Sequence, residues 1–393
     1  MYKKREIRVM NFSEKIKYVG VNDTDIDLFE GQYAVQNGMC YNSYVILDEK
    51  IAVMDTVDKT FGKEWLEKIA EFLDGKAPDY LIVQHMEPDH SSNICEFIKA
   101  YPNTTVVSSS KSFAMMKNFF CSDYSENRIE VKEGDTLDLG EHKLHFITAP
   151  MVHWPEVIMT YEETEKVLFS ADAFGKFGRC DIDEPWEDEA RRYYIGIVGK
   201  FGMQVQALLK KTARFEINTI CSLHGPVLTE NVQHYIDLYD TWSAYKPEEE
   251  GVLIAYASIY GNTKEGAELL ASKLKEKGIE NVELRDLSRC DIAEAVATAF
   301  KLSKTVFASS TYNGTMFPPM KIFIDHLTDR NYQGRTVAFM ENGSWAPTAT
   351  KAMQKLFETS KNLTYCENSV KILSSLNDDS INQIDALAEE LTK

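Results

Sequence analysis

Two regimes of apolar spacing divide this 393-residue chain. In the first, short apolar runs alternate with turns. Tyr33 to Val35, Ser43 to Leu47 and Ile51 to Asp55 read as strands, with Asn37-Gly38 and Asp48-Glu49-Lys50 as turns. Lys63 to Leu73 has helical spacing through Trp65, Leu66, Ile69, Phe72 and Leu73. Tyr80 to Val83 is brief, apolar and partly β-branched, which predicts a buried strand, and a helix is expected from Ser91 to Ala100. Then come strand Thr105 to Ser108, a helix near Ser110 to Phe120, and strands near Ile129 and Leu137. Lys143 to Thr148, Val157 to Tyr161, Val167 to Ser170 and Ile217 to Cys221 continue the strands. Long helices are expected over Glu187 to Lys211 and Thr229 to Tyr245. Strands with helices outside them predict a layered α/β sandwich.

The second regime begins after Lys246-Pro-Glu-Glu-Glu-Gly251, a charged stretch with the composition of a linker. The expected domains are therefore residues 1–249 and 250–393. Beyond it the alternation is regular. Strand Val252 to Ala257 leads to helix Thr263 to Lys277, Val282 to Leu284 to helix Ile292 to Phe300, and Thr305 to Ala308 to helix Met320 to Leu327. Thr336 to Met340 leads to helix Thr348 to Glu358, and a strand near Val370 to Leu373 to helix Ser380 to Leu391. Five βα units predict a doubly wound parallel sheet.

Composition narrows the function. A hydrophobic fraction of 44% and a charged fraction of 26% are those of a globular protein with ample core. The formal net charge of −18 argues against non-specific binding to nucleic acid or to an anionic membrane. Residues 1–20 carry Lys and Arg without an apolar secretory core, and no run reaches the length of a membrane span, so a cytoplasmic location is expected. The seven cysteines are scattered with no Cys-x-x-Cys pair, which predicts buried free thiols rather than a zinc knuckle, a rubredoxin-like iron centre or a disulfide framework.

The chemistry concentrates in Leu81-Ile-Val-Gln-His85-Met-Glu87-Pro-Asp89-His90-Ser91. Four metal-ligand types fall on the loop expected to leave a strand's carboxyl end, where open α/β sheets place their sites. A mixed nitrogen and oxygen set suits iron, manganese or zinc. A polar loop with Asp89 or Ser91 as helix N-cap is the plainer alternative. His153, Asp172 and His224 tip that balance, because each follows a further apolar strand. Any of them alone would more often be structural, but together they supply enough donors for two metals with open positions.

In the second domain Ala257-Ser258-Ile-Tyr260-Gly261-Asn262-Thr263-Lys264 turns a strand into a helix. Glycine among hydroxyl and amide side chains at a helix N-terminus favours one phosphate, though an ordinary helix cap uses the same residues. Ser309-Ser310-Thr311-Tyr312-Asn313-Gly314 and Glu341-Asn342-Gly343-Ser344-Trp345 follow neighbouring strands, and each sets glycine beside an aromatic ring, as a flat cofactor requires. A phosphate loop plus two ring loops in a five-unit sheet resembles flavodoxin and implies FMN.

With His85-x-Glu87-x-Asp89-His90 and the later His153, Asp172 and His224, the whole chain resembles the flavodiiron proteins. That resemblance implies an N-terminal metallo-β-lactamase-like αββα sandwich followed by a flavodoxin-like doubly wound parallel five-stranded sheet. It implies one iron on His85, Glu87 and His153, a second on Asp89, His90 and His224, and Asp172 bridging them. It further implies FMN, its phosphate held by Ser258, Tyr260, Gly261, Asn262 and Thr263, and its ring flanked by Ser310 to Gly314 and Asn342 to Trp345. Tyr193 is expected near the iron pocket as a donor to bound substrate, with a core role for it as the alternative. The implied reaction is reduction of O2 to water or of NO to N2O. Both are small uncharged diatomics that bind the same ferrous pair. A head-to-tail homodimer or a dimer of dimers is implied, as is an external donor, usually rubredoxin, because no rubredoxin or reductase domain follows the second domain. A zinc hydrolase with an appended flavodoxin-like module, and an electron-transfer protein with a decayed metal site, are the competing readings. Glu87, where the hydrolase branch usually carries His, argues against the first. The complete set of seven ligand-type residues argues against the second.

Overall fold

The computed structural model describes residues 12–393, so the first eleven positions, part of the basic N-terminal stretch, lie outside the described residues. The described chain forms two compact units. One holds the residues through Tyr194 together with Met203–Asp240, and the other Ile195–Gly202 together with Thr241–Lys393.

The first unit is a sandwich of two sheets. One sheet has the spatial order Ile16–Tyr18, Tyr44–Ile46, Ala52–Met54, Tyr80–Ile82, Thr105–Ser108, Arg128–Glu130. The first three strands are antiparallel and the rest run parallel. The other sheet orders Thr136–Asp138, Lys143–Thr148, Ile158–Glu162, Val167–Phe169, Thr219–Cys221, antiparallel except for its last pair. Ile46, Met54, Ile82 and Val107 from the one sheet pack with Leu144, Phe146, Ile158 and Phe169 from the other in one buried cluster. Outside them, helix Gly62–Leu73 is amphipathic and buries Trp65, Ile69 and Leu73. Trp65 donates its indole N–H to Ser43 Oγ at 2.9 Å and packs on Phe97 with ring centroids 5.5 Å apart. Burying each such side chain stabilises by roughly 1.5–3 kcal/mol.

Three expectations need correction. The stretch Ser91 to Ala100 is not one helix: Pro88–Ser91 forms a single turn and Ile94–Ala100 a separate helix. Proline at the first helical position is pre-set for the turn, and Asn93 interrupts it by donating its side-chain amide to Val57 O and Asp58 O. Glu187 to Lys211 is likewise broken, into Trp186–Tyr193, a wide turn at Tyr194–Val198, a tight one at Gly199–Phe201, and Gly202–Thr212. Gly196, Gly199 and Gly202 weaken the helix, and a Cβ at Gly202 would lie 2.4 Å from Ser243 O. Residues 246–251 are not a free linker. Glu248 N donates to Lys301 O, and Glu249 already pairs with Leu302 at the start of strand Glu249–Ala257.

The second unit carries a parallel sheet ordered Val282–Asp286, Glu249–Ala257, Leu302–Tyr312, Thr336–Asn342, with a split fifth position. Thr364–Tyr365 and Val370–Ile372 both pair parallel to Thr336–Asn342, at opposite ends of it. In sequence order this is 2-1-3-4-5, one of the two common doubly wound arrangements. Val252, Ile254 and Tyr256 face helices Asn262–Glu276 and Asp378–Leu391. Successive strand residues point to opposite faces, so the intervening Leu253 and Ala255 point away from that cluster and are also fully buried. A strand buried on both sides reads as a continuous apolar run, and this one does. The third strand is longer than expected. Residues 310–312 continue it and turn back through Asn313-Gly314 onto Thr315–Met316. Both turn residues have positive φ (50° and 71°), the two-residue hairpin geometry that Asn-Gly favours.

One buried ion pair gives the first unit a pH signature. Asp48 accepts the N–H groups of Glu49, Glu141 and His142 at 2.7, 3.1 and 2.6 Å and faces His142 Nδ1 at 2.7 Å. Burial raises the Asp48 pKa, but these bonds outweigh it and hold the carboxyl down at about 2. Burial lowers the His142 pKa, and the carboxylates of Asp48, Glu165 and Glu162 more than reverse that. The Asp48 contribution is present above its unfolded value of about 4 and is lost as pH falls through about 2. The His142 contribution is present below its unfolded value of about 6.5 and fades as pH rises through the raised folded value. His142→Gln is therefore expected to destabilise by about 1–2 kcal/mol near pH ~6 and by less near pH ~9. Urea melts at the two pH values measure this, and an equal difference at both would refute it.

Candidate metal centre

The central stretch is built by the parallel half of the first sheet. His85 and Glu87 leave strand Tyr80–Ile82 in a loop, whereas Asp89 and His90 sit in the turn Pro88–Ser91 rather than on the loop. Glu87 occupies the N-cap position without a side-chain cap bond, and Ser91 Oγ donates to Met86 O, so neither Asp89 nor Ser91 is the N-cap. Asp55, at the end of the neighbouring strand, accepts Gln84 N at 2.6 Å and Gln84 Nε2 at 2.9 Å and fixes the loop's departure. Burial pushes the Asp55 carboxyl up to about 6 against the pull of those bonds.

Seven donors converge in two groups, His85, Glu87, His153 and Asp172, and Asp89, His90 and His224. Asp172 links them. Its Oδ2 lies 3.3 Å from His85 Nε2 and 2.9 Å from His153 Nε2, and its Oδ1 lies 3.5 Å from His90 Nε2 and 3.8 Å from His224 Nε2. Glu87 Oε2 is 3.0 Å from His153 Nε2, and Asp89 Oδ2 is 3.2 Å and 3.3 Å from the Nε2 atoms of His90 and His224.

The donors fit a pair of cations. Both carboxylate oxygens of Asp89 and of Asp172 are buried, and beyond their approach to the imidazole nitrogens they make no hydrogen bond among the described residues. His90 and His224 point their Nε2 atoms at each other across 3.0 Å. His224 Nδ1 lies 2.8 Å from Cys40 O and can only donate to it, so a neutral His224 turns a lone pair toward the cluster. Buried anions and opposed lone pairs are costly unless something positive sits between them. The charges respond accordingly. Burial lowers the pKa of His153 and of His224, but Asp172 and Glu87 around the first, and Asp89 and Asp172 around the second, lift each to about 9. His85 is raised, and Asp172 and Glu87 are lowered, in each case against their burial.

Tyr193 ends helix Trp186–Tyr193 and is 1% exposed, its ring 5.6 Å from that of His224 and 5.2 Å from that of Phe177. Burial and the nearby charges of Asp172, Glu87 and Asp89 push its hydroxyl pKa well up, so it keeps its proton. Glu156 escaped the sequence reading. It is buried, and its Oε1 lies 2.8 Å from His85 Nδ1. The signal was its place three residues after His153. Nothing local betrayed the Cys40 carbonyl, which is far from His224 in sequence.

In the second unit the three expected loops meet at the carboxyl ends of adjacent strands. Gly261 has φ +100° and caps helix Asn262–Glu276, with its N–H donating to Ser258 Oγ at 3.1 Å. Thr263 Oγ1 and Ser310 Oγ are 2.8 Å apart, and Thr311 Oγ1 accepts Thr348 N at 3.0 Å. Asn342 Nδ2 donates to Ser374 O, and Gly343 N to Ile372 O. Tyr260 and Trp345 are 93% and 91% exposed, and Tyr312 is 44% exposed. Exposed large rings on neighbouring loops are the kind of surface a flat ligand can cover.

Fold and sites define a class, a β-lactamase-like unit with a two-group donor cluster followed by a flavodoxin-like unit. Residues 39–225 match the ODP family beta lactamase, and residues 253–368 match a flavodoxin domain. An uncharacterized protein of Methanocaldococcus jannaschii is 30% identical over 90% of this chain and 90% of its own. The anaerobic nitric oxide reductase flavorubredoxin of Vibrio vulnificus is 29% identical over 86% of this chain and 70% of its own. The flavodiiron protein of Giardia intestinalis superposes with a TM-score of 0.88 at 26% identity, covering 98% of this chain and 96% of its own. The chain belongs to the flavodiiron protein family. It spans about half the length of the cyanobacterial diflavin flavoproteins it matches, 48% for one from Synechocystis. No described helix is long and apolar enough to cross a membrane.

Proposed function

We propose that the chain is a flavodiiron oxidoreductase that reduces dioxygen to water, nitric oxide to nitrous oxide, or both, at two non-haem irons. FMN in the flavodoxin-like unit would relay electrons from an external donor such as rubredoxin. The observation that carries this reading is the Asp172 carboxylate, with one oxygen toward each donor group. In this reading His85, Glu87 and His153 would hold one iron and Asp89, His90 and His224 the other, with Asp172 shared between them. Glu87 adds a hard anionic donor, which suits iron. When bound, the iron pair supplies electrons and open positions for a diatomic molecule, and FMN restores those electrons.

The chain's own residues do the rest. Glu156 and the Cys40 carbonyl accept from the Nδ1 atoms of His85 and His224 and so aim both Nε2 lone pairs inward. Phe29, Phe177 and Tyr41 form an aromatic wall beside His224 that keeps water out. The Tyr193 hydroxyl, which keeps its proton at neutral pH, would donate a hydrogen bond to bound substrate. Ser258, Gly261 and Thr263 present the flavin phosphate with hydroxyls and a helix N-terminus. Tyr312 and Trp345 would flank the flavin ring. A head-to-tail homodimer would set the flavin of one copy against the irons of another.

The test is anaerobic holoprotein reduced through rubredoxin, with NO and O2 consumption followed alongside iron, zinc and FMN content. About two irons and one FMN per chain with rapid uptake of either gas is the expected result. Zinc in place of iron, or uptake of neither gas, would overturn the reading.

A further inference from the structure

The histidines of the cluster are not braced alike. Glu156 is 2% exposed, and its Oε1 lies 2.8 Å from His85 Nδ1 while also accepting Met86 N–H at 2.9 Å. Its Oε2 is buried without a hydrogen-bond partner among the described residues. Beyond Asp172 the backing is weaker. His224 Nδ1 donates to a neutral peptide carbonyl, that of Cys40, at 2.8 Å. The buried Nδ1 of His90 has no hydrogen-bond partner among the described residues. The hydrogen-bonded backing of the group His85, Glu87 and His153 therefore includes a carboxylate, whereas that of Asp89, His90 and His224 is a neutral peptide carbonyl.

We infer that Glu156 is a positioning residue that makes the two metal positions unequal, with the His85–Glu87–His153 position the tighter and more electron-rich. The inference rests on the reading of the cluster as an iron pair. A carboxylate that accepts from the remote N–H of a ligating imidazole fixes its tautomer, holds its orientation and strengthens it as a donor. A peptide carbonyl does the first two but adds no charge. The charge balance points the same way. Glu87, Asp89, Asp172 and Glu156 together carry a formal charge of −4, the charge that two divalent cations cancel. Withdrawing Glu156 removes one quarter of that balance from one side only. Stronger donation also favours the higher oxidation state, so the iron beside His85 is the first to be oxidised and the last to be lost.

The experiment compares holoprotein and its Glu156→Gln variant, both fully reduced, under challenge by a ferrous chelator. Iron release is timed, and the reduction potentials of the two irons are read by Mössbauer-monitored titration. Glutamine keeps the side chain's shape and an oxygen for His85 Nδ1 and Met86 N, and removes only the charge. In the wild type the two irons should leave in separate phases. In the variant the slow phase should accelerate about 10- to 100-fold, the fast phase should not change, and the first oxidation should move to higher potential. A single release phase for both wild-type irons overturns the inference without recourse to any variant. So does a wild type with two phases whose variant keeps the slow phase and the first potential unchanged, while the iron-pair reading survives. A wild type that takes up no iron overturns both.

Discussion

Asp172→Ala is expected to strip the protein of its iron pair and to abolish gas reduction while FMN stays bound. No other side chain in the cluster faces both donor groups: its two oxygens lie 2.9 Å from His153 Nε2 and 3.5 Å from His90 Nε2. It is 1% exposed, and alanine puts no oxygen in its place. Removing a residue that merely braces a ligand typically costs 10- to 100-fold in metal affinity or activity, so loss of a shared ligand should cost more than about 100-fold in activity. Alanine also removes the anion that contributes most to raising the His85 and His153 pKa values in the metal-free protein, and leaves Glu87 and Glu156 facing His85 but Glu87 alone facing His153. The measurement is iron and FMN per chain together with NO and O2 consumption. One FMN with one iron or none, and background consumption, is the expected outcome. A variant that keeps two irons and near-normal turnover would remove Asp172 from the bridge.

Arg335→Met should unfold the second unit at markedly lower temperature. Arg335 is 2% exposed and leads into strand Thr336–Asn342. Its guanidinium donates to Leu302 O at 2.9 Å, to Tyr245 O at 2.6 Å and to Phe300 O, and so ties three chain segments together. Burial lowers its pKa, with Tyr332 and Glu248 pulling the other way, so the charge is held at a cost that these carbonyls offset. Methionine fills the space of the stem but donates nothing. Each orphaned buried acceptor costs about 1–3 kcal/mol, and relief of the buried charge returns part of that. A net loss of about 3 kcal/mol corresponds to roughly 10 °C in Tm for a unit of this size. Calorimetry of the holoprotein, with flavin release as a second probe, reads it. A shift under about 2 °C would show that the carbonyls find other donors.

The sequence reached far into the second unit because each of its elements is locally consistent. Helix Asn262–Glu276 follows a glycine cap, and the central strands are apolar throughout because both faces are covered. It misread the places where glycine, proline or a distant partner outweighs periodicity. The broken helix after Tyr193 depends on Gly202 meeting Ser243, and the turn holding Asp89 and His90 depends on Pro88 and Asn93.

For the metal centre, residue types alone gave the seven donors, since hard oxygens and imidazoles at successive strand ends form a pattern that rarely arises for packing. What they could not give is which donor faces which, because that depends on how the two sheets stack. Only the tertiary structure turns the two oxygens of Asp172 toward different groups, sets Glu156 behind His85 and brings the Cys40 carbonyl to His224. Local chemistry is written in the order of residues, but orientation and charge backing come from contacts between segments far apart in the chain.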